Sequence, residues 1–258
     1  MTHYHTLAAS LILLATVVTL RAADAPKDTR CFELRVYTAA EGKLEALHAR
    51  FRDHTCKLFE KHGMTNIGYW VPLASDEHKL YYILAYPSRA AREKSWKDFM
   101  ADPDWKAAFA ASEKDGKLVT HVDSKFLHAT DFSPEIKLAA DATPRVFELR
   151  TYTVTPGNLA ALQARFRDHT MALFKKHGMT NVGYWSLDAE QKGAADTLIY
   201  MLAHKSKEAR DASFKSFGSD PAWQTAKAAS EKSAGGSLTT KDGVVWVLLT
   251  PTDYSPTK

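Results

Sequence analysis

The chain is one unit written twice. Phe32-Glu33-Leu34-Arg35 returns as Phe147-Glu148-Leu149-Arg150, and Gly68-Tyr69-Trp70 returns as Gly183-Tyr184-Trp185, both at a spacing of 115. Between them Arg50-Phe51-Arg52-Asp53-His54-Thr55 recurs unchanged as Arg165-Phe166-Arg167-Asp168-His169-Thr170. The spacing grows to 118 at Asp102-Pro103 and Asp220-Pro221. It reaches 122 where Thr130-Asp131-Phe132-Ser133-Pro134 meets Thr252-Asp253-Tyr254-Ser255-Pro256. A period held this far means that one structural unit is built twice. The copies span residues 30–134 and 145–256, with 135–144 as the linker. The growth in spacing places insertions at 188–196 and 234–242, which read as loops because loops absorb added length.

Each copy reads in the same order. Cys31 to Thr38 alternates and is rich in strand formers, so it is a first strand. Glu41 to His62 is a helix with Leu44, Leu47, Phe51, Thr55 and Leu58 on one face and Gly63 as its C-cap. Met64 to Val71 and Leu80 to Tyr86 are strands, and Ser88 to Met100 is helical. Asp102 and Pro103 then occupy the N-cap and N1 positions of a fresh helix, and Leu118 to His128 is a last strand. The order is that of an α+β, ferredoxin-like β-α-β-β-α-β unit with its second helix broken. Such a unit leaves one sheet face bare, so two units packed sheet to sheet give a barrel-like body with helices outside. The same pairing between two chains would make a homodimer. In the first strand Phe32, Leu34 and Val36 share one face, and Glu33, Arg35 and Tyr37 the other. The apolar trio is expected to meet the helices and the polar trio to point at the facing sheet.

Composition matters here mainly for what it excludes. With 258 residues, 45% apolar and 25% charged, the chain is neither disordered nor a disulfide-stapled miniprotein. A net charge of +4 with interleaved signs leaves no footprint for nucleic acid. Leu7 to Leu20 is an apolar run shorter than the roughly 20 residues a spanning helix needs. It fits the core of a secretory signal peptide at residues 1–23, with Ala23-Asp24-Ala25 as a cleavage region. The segment before it carries His3 and His5 but no Lys or Arg. Export to a periplasmic or extracellular location, with no stable membrane insertion after cleavage, is the expectation. An uncleaved anchor is the alternative.

The candidate chemistry sits on the first strand of each copy. A Glu–Arg pair on one strand face is either an ion pair that sets the sheet pairing or the polar wall of a ligand pocket. In the second case Arg35 and Arg150 engage a carboxylate, enolate or carbonyl, which their planar forks suit. Glu33 and Glu148 orient those arginines, or act as bases if burial raises their pKa. Tyr37 and Tyr152 donate hydrogen bonds, and Trp70 and Trp185 either wall the cavity or belong to the core. His54 and His169, on the edge of the helix stripe, are secondary candidates. His62 and His177 end that helix, where the dipole favours imidazolium. No metal-ligand spacing, phosphate loop or nucleophile elbow occurs, so no metal and no catalytic residue is assigned. Cys31 and Cys56 are expected on different layers, although export would permit a disulfide.

The Phe32–Tyr37 start, Gly68-Tyr69-Trp70, the Asp102-Pro103-Asp104-Trp105 helix start and the Thr130–Pro134 ending together resemble the NIPSNAP family. The second copy repeats the set. The resemblance implies the dimeric α/β-barrel superfamily, which holds cofactor-free monooxygenases, aldoxime dehydratases and haem proteins. It carries over no catalytic residue. No cofactor is expected: haem members use a proximal histidine, and no local motif identifies one here. Three functions follow as expectations. The first is an exported protein that binds a small organic molecule in a cavity between its sheets. The second is a cofactor-independent oxygenase or isomerase using the same cavity, and the third is a protein-interaction scaffold.

Overall fold

A computed structural model describes residues 28–74, 76–136 and 145–258. The expected signal peptide and most of the expected linker lie outside the described residues. The N-terminal half contains β1 (Cys31–Ala39), α1 (Leu44–Arg50), a π-helical turn (Phe51–Thr55), α2 (Cys56–Lys61), β2 (Thr65–Pro72) and β3 (Lys79–Tyr86). It continues with α3 (Arg89–Ala101), α4 (Pro103–Ser112) and β4 (Val119–Ala129). The C-terminal half repeats this as β5 (Val146–Val154), α5 (Leu159–Arg165), a π-helical turn (Phe166–Thr170), α6 (Met171–Lys176), β6 (Thr180–Leu187) and β7 (Thr197–His204). Its last elements are α7 (Lys207–Gly218), α8 (Pro221–Ser233) and β8 (Thr239–Pro251).

The Asp caps expected from the sequence are present, and a serine caps the preceding helix of each half. Ser88 and Ser206 accept hydrogen bonds from Ala91 N and Ala209 N, and Asp102 and Asp220 accept from Asp104 N and Ala222 N. His62 and His177 sit at the ends of α2 and α6, with Nε2 at 2.6 and 2.8 Å from the carboxylates of Asp102 and Asp220. Each thus ties the end of one helix to the N-cap of another.

Among the described residues, eight strands join one closed antiparallel barrel in the order β1-β3-β2-β8-β5-β7-β6-β4. The halves are therefore joined at their edges, β2 to β8 and β4 to β6, within one chain. The barrel-like body expected above is thus closed by edge pairing, which leaves no open sheet edge among these strands. The Thr-Asp-aromatic-Ser-Pro motif that ends each half completes the seam. Ser255 Oγ accepts from Tyr69 N at 2.9 Å and Thr252 N donates to Tyr69 O at 2.9 Å. In the mirror contact, Tyr184 N donates to Ser133 Oγ at 3.0 Å and Thr130 N to Tyr184 O at 3.0 Å. Arg52 forks onto Asp253, and Arg167 onto Asp131, across the same seams.

The facing of the first strand is the reverse of the sequence expectation. Phe32 and Leu34, with Phe147 and Leu149, fill the barrel lumen together with Trp70, Trp185, Ile83 and Ile199. Glu33, Arg35 and Tyr37 lie on the outer face, beneath the helices. The lumen of an eight-stranded barrel is just wide enough to be filled by side chains. It takes the fully apolar face, and the polar face goes where helices carrying Arg92 and Arg210 can answer it. Two further layers, one per half, lie between sheet and helices. Cys31 and Cys56, expected on different layers, both pack against the first of these and are free thiols.

Trp70 needs Gly68. A Cβ on Gly68 would stand 2.3 Å from Trp70 Cη2, because the indole folds back over its neighbour two residues earlier. Gly183 and Trp185 repeat the arrangement at 2.6 Å. The insertion at 188–196 is the β6–β7 loop, as expected. That at 234–242 is partly a bulge inside β8: the pairing with β5 jumps from Val244 to Thr239 as β5 advances from Tyr152 to Val154.

Candidate functional site

The space between the sheets is filled, so the cavity lies elsewhere. In the N-terminal half a cavity of about 410 Å³ opens between the outer face of β1 and β4 and the helices above. Arg35, Tyr37 and Arg50 line it, together with Trp96, Phe99 and Trp105. The C-terminal half holds a matching cavity of about 260 Å³ lined by Arg150, Tyr152 and Arg165. A π-helical turn inserts one extra residue into a helix and re-aims its side chains, and such turns collect at functional sites. Here it follows Arg50 directly and places Arg50, Phe51 and Thr55 on the cavity wall. Thr55 Oγ1 donates to Arg50 O at 3.1 Å, and Thr170 does the same to Arg165.

Arg50 is buried beside Trp105 and Phe109, with its guanidinium carbon 5.5 and 5.3 Å from their ring centres. Its Nη1 donates to Glu113 Oε1 at 2.9 Å and to Ser112 Oγ at 3.2 Å. Its Nε is buried and, among the described residues, has no partner. Arg165 repeats the pattern: Nη1 reaches Ser230 Oγ at 3.3 Å, and Nε is buried and unbonded. Burial pushes the Arg165 guanidinium below its ordinary value.

Glu33 is fully buried and saturated with donors. Arg35 Nη1 reaches it at 2.5 Å, Arg92 forks onto it at 2.9 and 2.9 Å, and Ser124 and Tyr86 donate at 2.7 and 3.0 Å. Burial alone would raise its pKa. The Arg92 hydrogen bonds, the Arg35 charge and the Ser124 hydroxyl outweigh burial and hold the carboxyl at about 2. Glu148 is likewise held at about 2; here Arg210, His204 and Arg150 overcome the burial. Neither carboxylate is a proton acceptor near neutral pH, so the base role is removed and the orienting role remains. Burial also works against the Arg35 charge, but the oxygens of Tyr82, Tyr37 and Glu33 more than offset it. Arg35 Nε donates to Tyr82 OH at 2.9 Å and Nη2 to Tyr37 OH at 3.4 Å. Arg150 donates to Glu148 at 2.5 Å and to Tyr152 OH at 3.2 Å, leaving a buried Nε unbonded.

The structure thus brings Arg35 and Tyr37, and Arg150 and Tyr152, to cavity walls. Trp70 and Trp185 are core residues in the lumen, and their buried Nε1 atoms find no partner among the described residues. His54 and His169 are exposed on outer grooves beside α4 and α8. Arg50 and Arg165 were not singled out from the sequence. Their signal was the unchanged Arg50–Thr55 block, an identity stricter than an amphipathic face requires. Among the described residues no group of three His, Cys, Asp or Glu side chains could hold a metal ion.

The sequence matches the NIPSNAP family over residues 32–134 and 147–256. The chain belongs to the NIPSNAP family. No curated protein matches it. A NIPSNAP protein from Agrobacterium tumefaciens is 23% identical over 41% of this chain and 93% of its own, with a TM-score of 0.37. Two longer structures share the fold across both halves of this NIPSNAP chain. A protein from Fusobacterium nucleatum, proposed to be a monooxygenase, is 10% identical over 87% of this chain and 93% of its own, with a TM-score of 0.58. A Lactobacillus acidophilus protein of the same proposed activity is 13% identical over 87% and 94%, with a TM-score of 0.53. Among the described residues no helix is long and apolar enough to cross a membrane.

Proposed function

We propose that this NIPSNAP protein binds a small organic molecule bearing a carboxylate, enolate or carbonyl oxygen in the cavities beneath its helices. One observation carries the reading: a buried arginine with an unbonded Nε lines the cavity of each half. A buried donor without an acceptor is costly, and a ligand oxygen would supply one. The aromatic walls supply the apolar contact that fixes a small molecule. Native mass spectrometry of the purified protein tests this. A retained small molecule is expected, and the double variant Arg50→Gln, Arg165→Gln should lose it while remaining folded. Retention by the double variant would refute the reading.

An oxygenase or isomerase reading uses the same cavity. The Arg35 and Arg50 guanidiniums, which both line it, suit the negative charge of an enolate, which such reactions generate. Each half reads as a ferredoxin-like unit, supported by the strand order β4-β1-β3-β2 and its repeat β8-β5-β7-β6. The apolar run Leu7–Leu20 supports export. The mature N-terminus should fall between Ala23 and Pro26; N-terminal sequencing that reads from Met1 on membrane-bound protein would refute it.

A further inference from the structure

The two cavities agree on their polar wall and differ at their rims. Arg35, Tyr37 and Arg50 are answered by Arg150, Tyr152 and Arg165. At the rim, however, Met100, Phe109 and Val119 of the first half correspond to Gly218, Lys227 and Thr239 of the second. Trp96, half-buried over Arg35 at 4.5 Å, gives way to Phe214. Glu113 and Lys117 also line the first rim, as Glu231 and Ser237 line the second, and Val122 is matched by Val244 at 40% and 39% exposed; what sets the first rim apart is Met100 and Phe109, 54% and 43% exposed. A single exposed apolar side chain is ordinary, but two large ones, Met100 and Phe109, added at one cavity mark a place where apolar surface is to be covered. Size separates the cavities too. Ligand sites run from about 300 to 1,000 Å³; the first cavity, at about 410 Å³, lies inside that range and the second, at about 260 Å³, below it.

We propose that the N-terminal cavity alone takes a flat, multi-ring aromatic acid, and that Phe109, with Met100, selects for it. This rests on the reading of the cavities as small-molecule sites. The acid group pairs with Arg50, whose buried Nε lacks an acceptor, beside Arg35 and Tyr37. The ring system lies along Trp96 and Trp105 and emerges at Phe109 and Met100. In the second half, Lys227 would have to give up water to lie against such a ring, which disfavours it. The two halves thus share a polar wall and differ in whether the rim suits an aromatic body.

Calorimetric titration of the full chain with 2-anthracenecarboxylate tests the proposal. One site per chain is expected. Phe109→Lys, which copies the second half at an exposed position, should weaken binding by about tenfold or more, whereas Phe109→Leu should stay within about threefold. The neutral 2-anthracenemethanol should bind about tenfold more weakly than the acid, because the charge-assisted bond is lost. Thermal melting of both variants, expected to be unchanged, separates lost binding from lost folding. Two equal sites per chain, unaltered affinity in Phe109→Lys, or equal affinity for acid and alcohol would each overturn the proposal. Those outcomes leave the wider ligand-binding reading standing. Absence of binding to the probe also overturns this proposal, while a retained molecule in native mass spectrometry still decides the wider one.

Discussion

At the scale of single residues, Glu33 and Glu148 show how a buried charge is made tolerable. Each is fully buried and answered by two arginines, with hydroxyl donors added at Glu33 and His204 Nε2 lying 3.3 Å from Glu148. Both carboxyls are held at about 2 against an ordinary value of 4.5. Their folded-state pKa is depressed, so the stability they contribute is present above the unfolded value and lost as pH falls from about 4.5 towards 2. Thermal melts between pH 6 and 2 (roughly the span of that titration) should show the loss, and Glu33→Gln should flatten it. At neutral pH the same variant leaves the buried Arg35 without its carboxylate and leaves Arg92 only Glu93, and should cost about 3–5 kcal/mol in denaturant unfolding. The thiols offer a second check. Burial pushes Cys31 up to about 11 and Cys56 to about 12, so the folded protein should alkylate far more slowly at pH 8 than the unfolded chain. The pairing of Glu33 with Arg35 was legible from their spacing on one strand face. Which face it was on was not, since alternation separates two faces without saying which one closes around the lumen.

At the scale of elements, most boundaries followed from the sequence because local chemistry sets them: the Asp caps, Pro at N1, and Gly63 at a φ of 76°. The π-helical turn was not legible. Its residues keep the apolar spacing of an ordinary helix, and the extra residue shows only in the backbone, where Cys56 N–H donates to Phe51 O five residues back. The role of Gly68 was hidden for a similar reason, since it depends on where the Trp70 ring comes to rest. Gly68→Ala forces a Cβ against a fully packed indole and should destabilise by about 1–3 kcal/mol; chemical denaturation of the variant checks this. The seam motifs make a separate prediction. Ser255→Ala removes the acceptor of the buried Tyr69 N–H and should cost about 1–3 kcal/mol, as should Ser133→Ala at Tyr184. Equal effects in the two variants would reflect the symmetry of the seams, and unfolding curves coincident with wild type would refute their role.

At the scale of the whole molecule, the repeat announced two units but not how they meet. An α+β unit with one bare face can stack on another or join it edge to edge, and the sequence pattern is the same for both. Edge closure is made by the β2–β8 and β4–β6 pairings and completed by the Thr130–Pro134 and Thr252–Pro256 segments, which reach across to the opposite half. Closure fills the lumen with Phe32, Phe147, Trp70 and Trp185, and it moves the ligand question to the helix side of the sheet. The central claim is therefore a location. A crystal structure of the protein as purified, or soaked with 2-anthracenecarboxylate, tests it directly. The account predicts density for an organic molecule between Arg50 and Trp96, with an oxygen within hydrogen-bond distance of Arg50 Nε. Density in the lumen between Trp70 and Trp185, or a sheet–helix cavity holding nothing but water after soaking, would contradict it.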